Sequence, residues 1–404
     1  MQSSSEAEKV LERMKYLVGS AEQIKQLPQV SALEPYDESV VDFLNDVSKN
    51  LMKNPESKLY PDVITFGFWI RKANILKLKE RIDSSEGIRL GRGVVFHIAP
   101  SNVPVNFAYS LVSGLICGNA NVVRVPSKDY PQVKLITDSI NIVLAEHKAM
   151  ASYVICARYE RDKDINDLLS SLADVRVVWG GDQTIAELRK SPLQPRAGEI
   201  TFADRYSLAV IDSDAYMDID DKAKVALDFY NDTFLTDQNA CTSPRMIVWL
   251  GNRIEEAKKV FWEKEHSLVK QKYVFQSIQG VNKLTRGYMI AAKQDGVMIE
   301  KHSDNLIIRV RVPRITDYLM NYRDNSGYFY EYDCSDLMEM FPIVNDKHCQ
   351  TIAYIGDKNM FIPIIQAGVK GIDRVVPIGK TMDFDLIWDG YRLVDWLSKT
   401  IMFT

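Results

Sequence analysis

The sequence predicts an α/β protein of two domains, a Rossmann-type dinucleotide-binding domain followed by a second α/β domain. Three observations point there. Short apolar runs rich in β-branched residues alternate with amphipathic stretches from Gly93 onward, the pattern of parallel strands joined by helices. Several of these runs end directly in glycine, proline or asparagine, where doubly wound sheets place their ligands. The chain, at 404 residues, is also longer than one hydrophobic core usually serves.

Taken in order, the stretch up to about Arg81 reads as helical. LNDVSKNLMKN and FGFWIRKANILKLKER carry apolar residues at helical spacing with charges opposite. Gly87, Gly91 and Gly93 punctuate the change of pattern. GVVFHIA, Gly93–Ala99, is apolar almost throughout, as expected of a strand covered on both faces. A helix follows in NVPVNFAYSLVSGLICG, a strand in NVVRV, a helix in QVKLITDSINIVLAEH and a strand in SYVIC. After a further helix come the strand VRVVW and the helical GGDQTIAELRK, closing a block at about Phe202.

A second block opens with the strand YSLAVID, Tyr206–Asp212. A helix from about Asp220 to Phe234 leads into TDQNACTSPR and the strand RMIVWL. The charged helix NRIEEAKKVFWEKEHSLVKQ and the segments NLIIRVRV, QTIAYIG, NMFIPIIQAG and DRVVPIG continue the alternation. The expected organisation is residues 1–205 as N-terminal helices and dinucleotide-binding domain, 206–385 as catalytic domain, and 386–404 as a segment packing back.

Composition narrows the function classes. A formal net charge of -4 offers no general attraction for nucleic acid. The five cysteines are odd in number and scattered, without CxxC pairs or zinc-type Cys/His spacing. No metal site and no disulfide framework are expected, which favours a reducing, cytoplasmic setting. The N-terminus lacks the apolar core of a signal peptide, and the longest apolar run, Val103–Cys117, is too short and polar to span a bilayer.

Four places carry candidate chemistry. In HIAPSNVPVNF, Asn102 sits between a strand and a helix and reads first as an N-cap. The functional alternative is an amide that donates to a developing oxyanion. In VVRVPSKD, Arg124 ends a strand and Ser127 and Lys128 follow, where an acidic residue would repel a 2′-phosphate; a hydroxyl and two cations tolerate or prefer one. Gly180 and Gly181 allow a sharp turn into a helix and close approach to a diphosphate, with Asp182 suited to the N-cap. Cys241, in TDQNACTSPR, has small and polar neighbours on an apparent loop, a poor setting for a core thiol.

The other cysteines read differently. Cys117 and Cys156 lie in apolar patterns. Cys334 is flanked by acids that disfavour a thiolate, and Cys349 neighbours His348 in a strand, where adjacent side chains point apart.

Taken together, HIAPSNVPVNF, GLICGNANVVRVPSKDYP, VVWGGDQTIAELR, YSLAVID and DQNACTSPR, in that order and spacing, resemble the LuxC-type acyl-CoA reductases, the fatty-acid reductase branch of the aldehyde dehydrogenase superfamily. The tail from Cys349 to Ser398 is similar to the end of the same family, so the resemblance runs from about Gly91 to Ser398. It implies an aldehyde dehydrogenase-like fold and the reduction of an activated acyl group, an acyl-CoA or a partner-delivered acyl thioester, to an aldehyde.

It also implies roles for matching residues. Cys241 is the acyl-accepting nucleophile, and Asn102 with the Cys241 backbone N–H forms the oxyanion hole. Gly180 and Gly181 lie on the cofactor diphosphate. Arg124 stands where the superfamily usually has a lysine on the cofactor ribose, Ser127 replaces a glutamate of NAD-preferring relatives, and Glu339 in MEMFP holds the nicotinamide ribose. NADPH is the implied cofactor. The glutamate that activates water in hydrolysing relatives has no counterpart near Phe202, unless Glu199 or Asp204 takes its place. The resemblance further implies a homo-oligomer and an acyl-protein synthetase or transferase partner. Two other readings stay open: an NAD(P)-dependent aldehyde or semialdehyde dehydrogenase, and a non-catalytic partner of an acyl-activating enzyme. The aromatics Tyr273, Phe275, Tyr288, Tyr328, Phe329 and Tyr330 are candidates for lining an acyl pocket.

Overall fold

The computed structural model describes residues 4–81 and 87–403. The chain divides into two units, one running to Ala203 and joined by the residues from Leu386, the other Asp204–Asp385. The first unit is built on strands β1 (Lys15–Val18), β2 (Ile88–Gly91), β3 (Val94–Ile98), β4 (Ala120–Arg124), β5 (Val154–Arg158), β6 (Val175–Trp179) and β7 (Gly198–Phe202). Six of them form one sheet in the order β1-β5-β4-β3-β6-β7, parallel except for β1. The chain proceeds outward from β3 through β4 to β5, then returns to the other side of β3 for β6 and β7. The crevice beyond the carboxyl ends of β3 and β6 is therefore a topological switch point.

Every residue of β3 and of β6 is buried, which is why these runs carry no polar alternation. On one face Val94, Phe96 and Ile98 pack with Ile165, Leu169, Ile185 and Leu188. On the other, His97 meets the helix Asn106–Ile116. His97 is fully buried, with Nδ1 2.7 Å from Ser110 Oγ and Nε2 3.0 Å from Asn121 Oδ1. Asn121 spends its NH₂ on the Asn119 carbonyl, so its oxygen faces the ring and Nε2 carries the proton. Ser110 donates to Nδ1 and accepts from the Trp179 indole at 3.0 Å.

Burial pushes the His97 pKa down to about 4. Its unfolded counterpart binds a proton below about 6.5, so His97 opposes folding by up to about 1.4 kcal/mol per unit as pH falls from there to about 4. In NMR spectra of histidine-labelled protein, His97 is expected to stay a neutral Nε2–H tautomer from pH 8 to pH 5. A titration midpoint near that of free histidine would contradict this assignment.

The second unit holds β8 (Tyr206–Asp212), β9 (Pro244–Leu250), β10 (Met298–Lys301), β11 (Ile308–Arg311), β12 (Tyr328–Asp333), β13 (Cys349–Ile355) and β14 (Arg374–Pro377). They form a seven-stranded sheet in the order β10-β11-β12-β9-β8-β13-β14, with only β10 antiparallel. Tyr328, Phe329 and Tyr330 are core residues of β12 rather than pocket lining, since both faces of that strand are covered. Tyr273 is bound to Asp237 and Tyr288 is exposed. The chain returns to the first unit through the hairpin β15 (Ile387–Trp388) and β16 (Tyr391–Arg392), and ends in β17 (Ser398–Ile401), antiparallel to β2.

Several elements depart from the sequence reading. β1 interrupts the stretch expected to be helical, because Lys15–Val18 pairs with β5 and covers that sheet edge. β2, β7, β10, β12, the strands after Leu386 and the helix Ser277–Lys293 are additional elements. Among the described residues, no helix is long and apolar enough to cross a membrane.

Candidate active site

The Cys241 turn is shaped by its backbone. After the helix Lys222–Thr233 and the 3₁₀ turn Phe234–Thr236, Asp237 and Gln238 both adopt left-handed φ, 53° and 52°. Two consecutive non-glycine residues there are strained by about 1–3 kcal/mol each and need outside support. Gln238 supplies it. Fully buried, its amide donates to the carbonyls of Pro244 (3.1 Å) and Tyr328 (3.3 Å) and accepts from the N–H groups of Gly327 (2.7 Å) and Tyr328 (3.1 Å). All four of its hydrogen-bonding positions are used, which ties the turn to the starts of β9 and β12.

Cys241 then enters a further turn, with Ser243 N–H on the Ala240 carbonyl at 3.0 Å. Its own carbonyl accepts from Ser207 Oγ at 2.7 Å, and Ser207 in turn accepts from the Thr351 N–H at 3.2 Å. The Thr242 hydroxyl lies 3.2 Å from Met382 sulfur. The polar neighbours of Cys241 are thus not solvated: Thr242, Ser243 and Gln238 are buried, and their hydrogen bonds make a rigid seat. Cys241 itself is half-buried, whereas Cys117, Cys156, Cys334 and Cys349 are buried. Burial raises the thiol pKa of all four, Cys156, Cys334 and Cys349 to about 12. For Cys334 burial is the larger cause, and the negative charges of Glu339 and Asp336 raise it further. Cys349 is enclosed in β13, and His348 is turned to Asp346 at 2.7 Å.

In the first unit, Asn102, the Arg124–Lys128 segment and Gly180–Gly181 all follow carboxyl ends of parallel strands, β3, β4 and β6, and so share one edge of the sheet. Asn102 is exposed and does not cap the next helix. That helix starts at Asn106 behind a turn at Pro104–Val105, and Val105 is the residue at its N-cap. Tyr130 anchors the loop by donating to the Ser101 carbonyl at 2.9 Å. Gly181, not Asp182, occupies the N-cap of the helix Asp182–Leu188. A Cβ on Gly181 would meet nothing within 4 Å, while one on Gly180 would stand 3.2 Å from Thr184. Gly180 is needed for packing, and Gly181 leaves its backbone open to approach.

Arg124 is oriented before any ligand arrives, with Nε on the Tyr159 carbonyl at 3.3 Å and the guanidinium 4.9 Å from the Tyr159 ring. Ser127 and Lys128 are exposed, and the neighbouring Asp129 is matched by Arg158 at 3.0 Å. A switch-point crevice, an open glycine and a pre-oriented cation fit a dinucleotide. Among the described residues, no group of three or more His, Cys, Asp or Glu side chains is arranged to hold a metal ion.

Glu339 does not join Cys241. It follows β12, whose carboxyl end lies beside the carboxyl end of parallel β9, whereas Cys241 precedes the amino end of β9. Its carboxylate caps the turn Leu337–Met340, accepting from the Ser335 and Asp336 N–H groups at 3.0 Å, and it also takes the Tyr332 hydroxyl. Those bonds, the Tyr332 hydroxyl first, hold its pKa below the usual carboxylate value. At the place of the missing water-activating base, Phe202 is stacked on Trp179 with centroids 3.7 Å apart. Glu199 is taken by Arg176 and Arg189, and Asp204 by Arg323 at 2.6 Å. Sequence reasoning passed over Gln238, Ser207 and Arg245. The one visible signal was a cluster of polar residues at a strand entrance, where side chains are expected to be apolar.

A doubly wound unit and a second parallel-sheet unit with a cysteine turn before a central strand define the aldehyde dehydrogenase fold. Solved structures agree: 3,6-anhydro-L-galactose dehydrogenase in complex with NAP superposes with a TM-score of 0.63 at 14% identity, covering 99% of this chain and 92% of that one. Aldehyde dehydrogenase 21 from Physcomitrella patens does so with 0.65 at 12%, covering 99% and 89%. Within that fold the chain belongs to the acyl-CoA reductase (LuxC) family, whose sequence profile matches residues 20–265, more than half of the chain. It is 24% identical over 294 residues to the long-chain acyl-protein thioester reductase of Aliivibrio fischeri, and 23% identical over 295 residues to that of Photorhabdus laumondii. Each match takes in 71% of this chain but 58% of the relative, so the chain matches less than two thirds of either relative's length.

Proposed function

We propose that this chain reduces an activated acyl group, an acyl-CoA or a partner-delivered acyl thioester, to an aldehyde through a thioester on Cys241, with NADPH as reductant. The observation that carries the reading is that Cys241 alone among the five cysteines stands outside the core, on a braced turn, in a chain of the LuxC family. The Cys241 thiolate attacks the acyl carbonyl carbon. The tetrahedral oxyanion is stabilised by N–H donors, for which the family resemblance nominates the Asn102 amide and the Cys241 backbone; one such donor contributes about 3 kcal/mol. The carbon–sulfur bond to coenzyme A then breaks, the thiolate of the donor leaves, and an acyl-cysteine remains.

A nicotinamide cofactor, with Gly180 and Gly181 at its diphosphate and Arg124, Ser127 and Lys128 toward its ribose and 2′-phosphate, would supply the hydride. The protein's own part afterwards is to release Cys241 as thiolate when the hemithioacetal collapses to aldehyde. Support for a thioester that waits comes from the carboxylates: Glu199 and Asp204 are held by arginines, and Phe202 is apolar. Neither of these two carboxylates is then free to activate water at the acyl carbon. The same reading makes the protein a cytoplasmic homo-oligomer that takes its acyl group from coenzyme A or from an acyl-protein synthetase or transferase.

The test is product analysis with the full chain, a long-chain acyl-CoA and either cofactor. Fatty aldehyde formed with matching NADPH oxidation is the expected result. Acid as the main product from added aldehyde would favour the dehydrogenase direction, absence of any turnover a non-catalytic partner, and tighter binding of NADH the loss of the 2′-phosphate assignment.

A further inference from the structure

Asp232 lies in the last turn of the helix Lys222–Thr233, which leads to the Cys241 turn, and its carboxyl is 1% exposed. Nearby acids are matched by lysines, Asp228 by Lys224 at 2.6 Å and Asp383 by Lys380 at 2.9 Å. Asp232 instead gives both oxygens to the main chain of one loop. Oδ2 accepts from the Gly379 N–H at 2.6 Å and Oδ1 from the Thr381 N–H at 3.1 Å. Such charge-assisted bonds are what make a buried carboxylate tolerable. Burial pushes its pKa up to about 7, and the Gly379 N–H is the largest of the contacts that pull it back.

The carbonyls of the same loop are taken as well. Arg374, at the start of β14, donates to those of Thr381 (3.3 Å), Lys380 (3.4 Å) and Asp383 (3.1 Å). Gly379 has a φ of +88°, and a Cβ there would stand 2.7 Å from that of Asp228, so the close approach to this helix requires glycine. Within the fastened loop, the half-buried Met382 accepts from the Thr242 hydroxyl at 3.2 Å. One loop is therefore bonded to both ends of the segment Asp232–Thr242, which contains the strained turn and Cys241. A thioether is flexible and apolar, suited to follow a turn surface and displace water from it.

We infer that Asp232 is a positioning residue that fastens the loop Gly379–Asp383 across the nucleophile segment, and that Met382, held there, shields the Cys241 sulfur and any acyl group on it from water. The inference rests on the reading of Cys241 as nucleophile, but its first two readouts do not require acyl chemistry.

The full chain is used at about pH 8, where the Asp232 carboxyl is ionised. Trypsin reads the fastening. Lys380 is exposed, yet cleavage after it should be slow in wild type, because the loop must open to enter a protease. Asp232→Asn can accept only one of the two N–H groups, and cleavage should become about tenfold faster or more. Rapid cleavage of wild type at Lys380 overturns the inference, even where Asp232→Asn fails to fold. So does a folded Asp232→Asn cleaved no faster than wild type.

Iodoacetamide alkylation reads access to Cys241, with Cys241→Ala as the blank for the four buried thiols. Met382→Ala and Asp232→Asn should each speed it severalfold, and Met382→Leu, which keeps the volume, should restore most of the protection. The double variant should be no faster than the faster single one, because both changes remove the same shield. Effects that multiply, or a Met382→Ala rate equal to that of wild type, overturn the inference. Where acyl turnover is found, both single variants should release a larger share of carboxylic acid, as water bonds to the acyl carbon, the carbon–sulfur bond breaks and the thiol returns. An unchanged share overturns the inference. If cleavage and alkylation move as expected while Cys241 takes up no acyl group, the inference stands and the acyl-enzyme reading fails.

Discussion

Cys241→Ala is expected to form no acyl adduct and to lower aldehyde production by on the order of 10⁴-fold or more, the scale seen when a covalent nucleophile is removed. The loss should be nearly complete because no other thiol can stand in. Cys117, Cys156, Cys334 and Cys349 are enclosed in the two cores, and burial keeps their sulfur protonated. The fold should survive, since Cys241 is half-buried and hydrogen bonds from Gln238, Ser207 and Arg245 hold its seat. Single-turnover labelling with radioactive acyl-CoA reads this directly. An alanine variant that still takes up a full equivalent of label would remove Cys241 from the mechanism.

Arg176→Met is expected to destabilise the first unit by about 3–5 kcal/mol, the range for breaking a buried ion pair from one side. Arg176 sits in β6 with its side chain 3% exposed, and its fork meets Glu199 Oε2 at 2.8 and 2.5 Å. The remaining terminal nitrogen serves Ser170 Oγ and the carbonyls of Leu188 and Ser191. Methionine fills the space but leaves those carbonyls without their donor, and Glu199 with only the exposed Arg189. Adding Glu199→Gln should restore part of the loss, because the stranded charge then disappears. Denaturant unfolding of the variants checks both statements; a loss under 1 kcal/mol for the single change would show that the network is slack.

Legibility in the sequence followed the range of the interactions. Strands such as Val94–Ile98 and Val175–Trp179 were plain, because burial on both faces imposes an apolar run that composition alone reveals. β1 was hidden, because four residues acquire strand character only from pairing with β5. Asn102 and Gly180–Gly181 were recognisable as loop residues beyond strand ends. Their common edge follows from the parallel pairing of β3, β4 and β6, which residue patterns do not encode.

The cysteine turn shows the same division. Local chemistry marked Cys241 as misplaced for a core thiol, and ordered motifs placed it in a family; both are properties of neighbouring residues and survive in one dimension. Glu339 shows the opposite case. Its motif matched, yet the direction of β12 carries it to the far edge of the sheet from Cys241, where it caps a turn. The sequence by itself determined the class of fold, the candidate nucleophile and the loops beyond the strand ends that carry the candidate cofactor residues. Only the tertiary structure decided what holds the Cys241 turn: a glutamine bonded to residues some ninety positions away and a buried arginine that donates to the carbonyl of that glutamine. The physical reason is that a buried polar group is defined by its partners, and those partners come together only when the sheet closes.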